Sequence, residues 1–143
     1  MFSKSNLIST VVTGIWGFLG GWLLWGTLAD PILEEHTATA AKGLMKEMPD
    51  MFHLAIGCLL TGLFFSTIYG KYGRGGWSAG NGLTYGVLVG LLLGLGEGMV
   101  NMSVMNMLDF TGMLINAVVY VVFYAVMGLL AGLIYQKTMP TEA

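Results

Sequence analysis

Four long apolar stretches constrain this chain more than any other feature of its sequence. They cover approximately residues 7–28, 52–69, 83–108 and 112–135, and each approaches or exceeds the roughly 20 residues that an α-helix needs to cross a bilayer. Strands of a membrane β-barrel would be about half as long and would alternate apolar with polar residues. The sequence therefore predicts an all-α, polytopic membrane protein, a bundle of four transmembrane helices that occupies 1–143 as a single domain.

The composition is consistent with a lipid bilayer as the main surroundings of the chain. Hydrophobic residues make up 55% of the sequence and charged residues only 10%, against about 25% in an ordinary soluble domain. A net charge of −2 without any basic cluster argues against nucleic acid as a partner. The first stretch follows Lys4 as a secretory signal would, but it is too long for one and is expected to be retained.

The basic residues predict an orientation in the membrane. Lys4, Lys71, Arg74 and Lys137 lie on the side of the two termini, whereas acidic residues dominate the long loop between the first two spans. Cytoplasmic loops of membrane proteins carry the excess of lysine and arginine. We therefore expect a multi-pass protein of the cell inner membrane, with both termini in the cytoplasm and the long loop outside.

This long outer loop is predicted to contain a short amphipathic helix. Asp30 is placed to cap it, and Pro31 suits the first helical position, where its missing amide donor is not needed. Apolar residues then recur every four positions as far as Met48, and Pro49 ends the pattern. Such a stripe is typical of a helix that lies on the membrane surface or over the mouth of a bundle.

The second and fourth spans end in similar residues. The two endings are Ile68-Tyr69-Gly70-Lys71 and Ile134-Tyr135-Gln136-Lys137. They fit two helical hairpins that are related as parallel repeats, an arrangement known in transporters. They also fit the ordinary chemistry of a membrane interface, so both interpretations remain open.

A ridge of regularly spaced glycines runs along the third span. Its members follow one another at intervals of four residues: Gly82, Gly86, Gly90, Gly94 and Gly98. Lipid supplies little hydrophobic force between helices, so small residues that let two backbones approach closely favour association. The ridge predicts tight packing on another helix, in this chain or in another. Candidate partners within the chain are Gly17 and Gly21 on the first span and Gly128 and Gly132 on the fourth.

Glu97 is the one formal charge inside the predicted spans. At about 100° per residue it falls near the glycine ridge, so its carboxylate is expected to point into packed protein and away from lipid, where an ionised group is costly. The polar residues expected around it are Asn101, Asn116, Tyr120, Tyr124 and Thr61. We expect this set to bind a small solute or a proton, and the alternative is a structural tie between helices.

Methionine and histidine near the outer side offer a copper alternative. Met99, Met102 and Met105 recur every three residues, and His53 is expected on the same side of the membrane. Thioethers and imidazoles are copper ligands, but methionine is also a flexible packing residue that fills gaps beside glycine-rich helices. We therefore expect no metal or other cofactor, and keep copper binding by these four residues as an alternative.

The sequence contains no catalytic triad, phosphate-binding loop or zinc motif, so no enzymatic activity is expected. The leading hypothesis is a self-associating membrane protein that binds or transports a small solute or proton through the pocket around Glu97. A non-catalytic accessory subunit, whose glycine ridge packs on a larger membrane complex, is the alternative.

Several features together resemble a known group of proteins. The segment Gly20-Gly21-Trp22-Leu23-Leu24-Trp25-Gly26 precedes the polar loop, the third span is glycine-rich, and the fourth carries Asn116, Tyr120 and Gly128. In these features the chain resembles a family of small four-helix bacterial inner-membrane proteins known only as a domain of unknown function. The resemblance covers nearly the whole chain and implies the four-helix fold, without an activity or site residues to carry over.

Overall fold

Long helices make up most of the computed structural model, which describes residues 3–44, 46, 48–73 and 76–139. Those long and apolar enough to cross a membrane are Lys4–His36, Met51–Tyr72, Ala79–Val104 and Phe110–Thr138. Within the described residues there is no strand, and a single isolated antiparallel bridge joins Thr37 to Leu108. The predicted all-α architecture with four spans is confirmed.

The first span is one continuous helix that changes its geometry near the end. Helix α1 (Lys4–Leu23) passes into a π-helical segment, π1 (Leu24–Ala29), and then into α2 (Asp30–His36). The π turn shifts the hydrogen-bond register, so that the amide of Asp30 donates to the carbonyl of Trp25. The helix can therefore continue through Pro31, which has no amide hydrogen to donate.

The outer helix is present as α2, but Asp30 does not cap it as predicted, because Asp30 lies inside the continuous helix with α-helical backbone angles. Thr37 is extended and ends this helix, and only a short helix, α3 (Thr39–Lys42), follows in the loop. Met45 and Glu47, which belong to the predicted helix, lie outside the described residues.

The remaining elements complete two hairpins with the same order. Helix α4 (Met51–Tyr72) closes the first hairpin. The second consists of α5 (Ala79–Leu91), π2 (Leu92–Glu97), α6 (Gly98–Val104) and α7 (Phe110–Thr138). In each hairpin a π segment follows the first long helix, and a seven-residue α-helix follows the π segment. Duplication of one hairpin would produce this shared order.

The glycine ridge packs within the chain, against α7. Its members at 82, 86, 90 and 94 are buried. A Cβ atom on Gly82 would collide with the carbonyl oxygen of Gly128, and one on Gly90 would lie 2.6 Å from the Cα of Val121. Gly132 also borders Gly82, so the predicted partners on the fourth span are the ones that the ridge uses.

The other two candidate glycines behave differently. Gly17 packs on α4, where a Cβ atom would lie 3.3 Å from the Cβ of Cys58, and Gly21 faces open space. The last member of the ridge, Gly98, borders a side chain instead of backbone, since its Cβ position is 3.4 Å from the sulfur of Met113. The close approach of backbones therefore ends where π2 ends.

Buried polar groups tie three spans together at the end of the bundle that carries both termini, here called the termini end. The hydroxyls of Ser9 on α1 and Ser66 on α4 share a hydrogen bond of 2.7 Å. The hydroxyl of Tyr135 on α7 donates to the carbonyl of Ser66 at 2.8 Å. Because polar groups inside a bilayer have no water to bind, these contacts favour one arrangement of the helices.

Aromatic rings close the bundle towards the same end. Phe65 and Tyr69 of α4 pack on Tyr85 of α5, whose hydroxyl donates to the carbonyl of Phe65 at 3.2 Å. At the opposite end, here called the loop end because it carries α2 and α3, the first turns of α4 from 51 to 57 are exposed. These aromatic contacts therefore lie towards the termini end, whereas the start of α4 at the loop end is left open.

Replacing Gly86 by alanine is expected to destabilise the protein, because the new methyl group would collide with the carbonyl of Tyr124 on α7. Overpacking of this kind costs about 1–3 kcal/mol. Thermal unfolding of the purified protein in mild detergent measures the effect. Gly57→Ala is the matched control, since open space surrounds that helical glycine, and it should leave the melting temperature unchanged or slightly higher. Equal melting temperatures for Gly86→Ala and wild type would contradict this packing.

Candidate functional site

A cavity of about 710 Å³ opens at the loop end, between the extension of the first span and the turn that joins α6 to α7. This volume lies within the range of roughly 300–1,000 Å³ that ligand pockets occupy. Both π segments lead to it, because Trp25 and Gly26 belong to π1 and Gly98 directly follows π2. Such π turns are frequent at functional sites.

Asn116 and Tyr120 are the lining residues farthest along α7, and they form the deep part of the cavity. The indole Nε1 of Trp25 donates to Oδ1 of Asn116 at 2.8 Å, and the Trp25 ring meets Tyr120 edge to face, with centroids 4.9 Å apart. Both α7 side chains are half-buried. No hydrogen bond within the described part of the chain uses the amide hydrogens of Asn116 or the hydroxyl of Tyr120. These groups can therefore bind a ligand.

Charged side chains lie around the mouth of the cavity. Asp30 and Glu34 come from α2, and Lys42 comes from the end of α3. Two carboxylates against one ammonium group give this mouth a negative bias, and a bias of one sign attracts ligands of the opposite sign.

A clasp of three hydrogen bonds joins the end of α2 to the start of α7, beside the cavity. Two are backbone bonds, from the amide of Ala38 to the carbonyl of Met107 at 2.9 Å and from Asp109 to His36 at 3.0 Å. Nδ1 of His36 also donates to Oδ2 of Asp109 at 2.8 Å, and the other carboxylate oxygen caps α7 by accepting from the amide of Gly112 at 2.7 Å.

Asp109 is therefore the centre of this clasp. The Gly112 amide first, and the His36 side chain after it, hold the pKa of the Asp109 carboxyl below its usual value, because both stabilise the ionised form. Asp50 at the start of α4 has the same chemistry, since its bond with the His53 side chain lowers its pKa too. The Asp50 pair lies within one helix end, however, and joins no second element.

Three of the residues predicted for the ligand site line this cavity: Asn101, Asn116 and Tyr120. Tyr124 instead lies in the aromatic core, in a stacked contact with Phe65 at 5.9 Å between ring centroids. Thr61 lies on α4, which contributes no residue to the cavity. The polar face predicted for α7 is therefore divided between a cavity and a packed core.

Glu97 does not point into packed protein, so that prediction is wrong. Its side chain is exposed, and it does not line the cavity. Its carboxylate makes no hydrogen bond or ion pair with the described residues. The cause is π2, because a π turn holds one residue more than an α turn and rotates the residues after it by about 100°.

The residues of the copper alternative are only partly brought together. Met99 is exposed and lies outside the cavity, and His53 binds Asp50 through Nδ1 at 2.7 Å. Met102 and Met105 do line the cavity, together with Met107 and Met113. Within the described residues, no group of three or more His, Cys, Asp or Glu side chains could hold a metal ion.

Three cavity residues are not predicted from the sequence as site residues: Trp25, Asp30 and Glu34. One sequence signal could have identified them. Pro31 follows closely after the first apolar stretch, without a glycine or a run of loop residues between them. A helix that continues past Pro31 carries the acidic residues of α2 over the start of α7.

Comparison of the chain with protein-family models, with curated proteins and with solved structures found no match. The resemblance to small four-helix bacterial membrane proteins therefore remains a prediction. Any function has to be inferred from the chemistry of the site itself.

Proposed function

We propose that this protein binds a small, mainly apolar cation from the outer side of a bacterial inner membrane, in the cavity at its loop end. The observation that carries the proposal is a cavity of about 710 Å³ with aromatic, amide and hydroxyl groups in its deep part and an acidic mouth. Binding there serves either as the whole function or as the first step of transport. No catalytic step is part of the proposal.

The distribution of charge supports this orientation. Lys4, Lys71 and Lys137 lie at the termini end, on or beside the ends of α1, α4 and α7. The loop end carries most of the acidic residues, including the two at the mouth of the cavity. The positive-inside rule then places the termini end in the cytoplasm and opens the cavity to the outside.

The side chains of the cavity favour a cation over an anion. The rings of Trp25 and Tyr120 are the kind of surface to which cations bind, with a gain of about 0.5–2 kcal/mol. Asp30 and Glu34 outweigh Lys42 at the mouth. Glu97 does not line the cavity, so in this proposal it does not touch the ligand.

Two probes of similar shape and opposite charge test the proposal, tetraphenylphosphonium as the cation and tetraphenylborate as the anion. Calorimetry on the protein in nanodiscs of neutral lipid should show saturable binding of the cation at one site. We expect at least a tenfold preference for it over the anion, which corresponds to about 1.4 kcal/mol. Glu34→Gln and Trp25→Ala should each weaken cation binding severalfold, because they remove charge at the mouth and a ring in the deep part.

Each variant has a matched control on the same helix. Glu35→Gln removes a neighbouring charge of α2 that does not line the cavity, and Trp22→Ala removes a tryptophan that is 67% exposed. Neither control should change the affinity. Equal uptake of both probes by wild type and all variants would mean partition into lipid, and would contradict the proposal.

Exposed Glu97 supports a second candidate function, that of an accessory subunit or a subunit of a homo-oligomer. The carboxylate lies inside a helix that could span the membrane, and no described residue pairs with it. An ionisable group that faces lipid is costly, so a partner helix that offers a hydrogen-bond donor or a cation would stabilise it. The glycine ridge does not provide this docking surface, because α7 already covers it.

Native mass spectrometry in mild detergent tests this second candidate. The wild-type chain of 15.3 kDa should appear in a complex of defined stoichiometry, and Glu97→Leu should release it as a monomer. Thr84→Val is the control, because it removes an exposed polar group of the same span whose hydroxyl donates to the carbonyl of Gly80 in its own helix. A wild-type monomer, or complexes that survive Glu97→Leu unchanged, would contradict a role of Glu97 in association.

A further inference from the structure

We infer that the turn between α6 and α7 forms a binding site for one soft monovalent cation, Cu(I) or Ag(I), through methionine sulfur atoms. The ligands are Met102, Met105 and Met107, which line the cavity at the loop end beside a fourth methionine, Met113. Thioethers are ligands that select Cu(I) and related soft cations. This inference rests on the methionines and on the acidic mouth of the cavity, and it does not require the proposed binding of an organic cation.

The backbone of this turn is fixed by hydrogen bonds. The amide of Met105 donates to the carbonyl of Asn101 at 2.8 Å, and that of Met113 donates to Asp109 at 2.9 Å. The carbonyl of Met107 accepts from Ala38 in the clasp that joins α2 to α7. The methionines therefore start from fixed positions, and their three rotatable side-chain bonds let the sulfur atoms adjust around a bound ion.

The burial of these side chains distinguishes a ligand set from simple packing. Met113 is buried against Gly98, as a packing methionine would be. The exposed fractions of Met105 and Met107 are 43% and 39%, and both residues line the cavity without filling it. Methionines that only filled gaps beside a glycine-rich helix would be buried like Met113.

The rest of the cavity favours a soft cation over a harder one. Zinc and similar divalent ions need histidine, cysteine or carboxylate ligands, and the described chain has no cluster of three such groups. Thioethers are neutral, so the carboxylates of Asp30 and Glu34 at the mouth supply the charge that attracts a cation. The set differs from the one predicted from the sequence, because it includes Met107 and leaves out Met99 and His53.

Calorimetric titration of the full chain with silver nitrate, in chloride-free buffer, tests the inference without any redox chemistry. A Cys58→Ser background removes the one thiol of the chain. This protein should bind one equivalent of Ag(I), and Zn(II) should not compete. The triple variant Met102→Leu, Met105→Leu, Met107→Leu keeps the apolar volume of the wall but removes the sulfur atoms, and should bind Ag(I) at least tenfold more weakly.

The control exchanges two exposed methionines outside the cavity, Met51→Leu with Met99→Leu, and should bind Ag(I) as the background protein does. The melting temperature of the triple variant should equal that of the background protein, which shows that the fold is intact. X-ray absorption of the bound silver should show sulfur neighbours only. Unchanged Ag(I) affinity in the triple variant, or oxygen and nitrogen neighbours around the metal, would overturn the inference.

Discussion

The close approach of α5 and α7 is the contact on which the rest of the structure depends. Hydrophobic burial does little to hold two helices together in lipid, so they need van der Waals contact between surfaces that fit. Glycines at 82, 86, 90 and 94 supply it by leaving no side chain between the two backbones. The hairpin becomes a stiff unit, and its turn carries Asp109 and Met107 to the positions where the end of α2 can bind them.

The cavity depends on the segments that extend the first and third spans beyond their tightly packed parts. Neither span ends as a regular α-helix, since each passes through a π turn into a seven-residue helix. These extensions bring Glu34 on one side and Met102 on the other to the first turns of α7, where Asn116 and Tyr120 form the deep part. A space with apolar walls, a few polar groups and an acidic mouth suits a small apolar cation, and its sulfur atoms suit a soft metal ion.

Much of this fold could be predicted from sequence because its signals are local. Hydropathy identifies the four spans, spacing of small residues identifies the ridge and its partners Gly128 and Gly132, and helical periodicity places Asn116 and Tyr120 on one face of α7. The direction of Glu97 could not be predicted, because a helical wheel assumes an α-helix and π2 breaks that assumption. The clasp between His36 and Asp109 joins distant parts of the chain, and no spacing in the sequence reveals it.

Access of water from the outer side to Asn116 is the property on which the proposed function rests. In a Cys58→Ser background, Asn116→Cys can be treated with a membrane-impermeant maleimide in right-side-out and inside-out vesicles. Labelling is predicted in right-side-out vesicles only, with protection by tetraphenylphosphonium. Val118→Cys, at an exposed position of α7 outside the cavity, should stay unlabelled in both because lipid surrounds it. Labelling of Asn116→Cys from the inner side, or its absence in intact vesicles of both orientations, would contradict an outward-facing cavity.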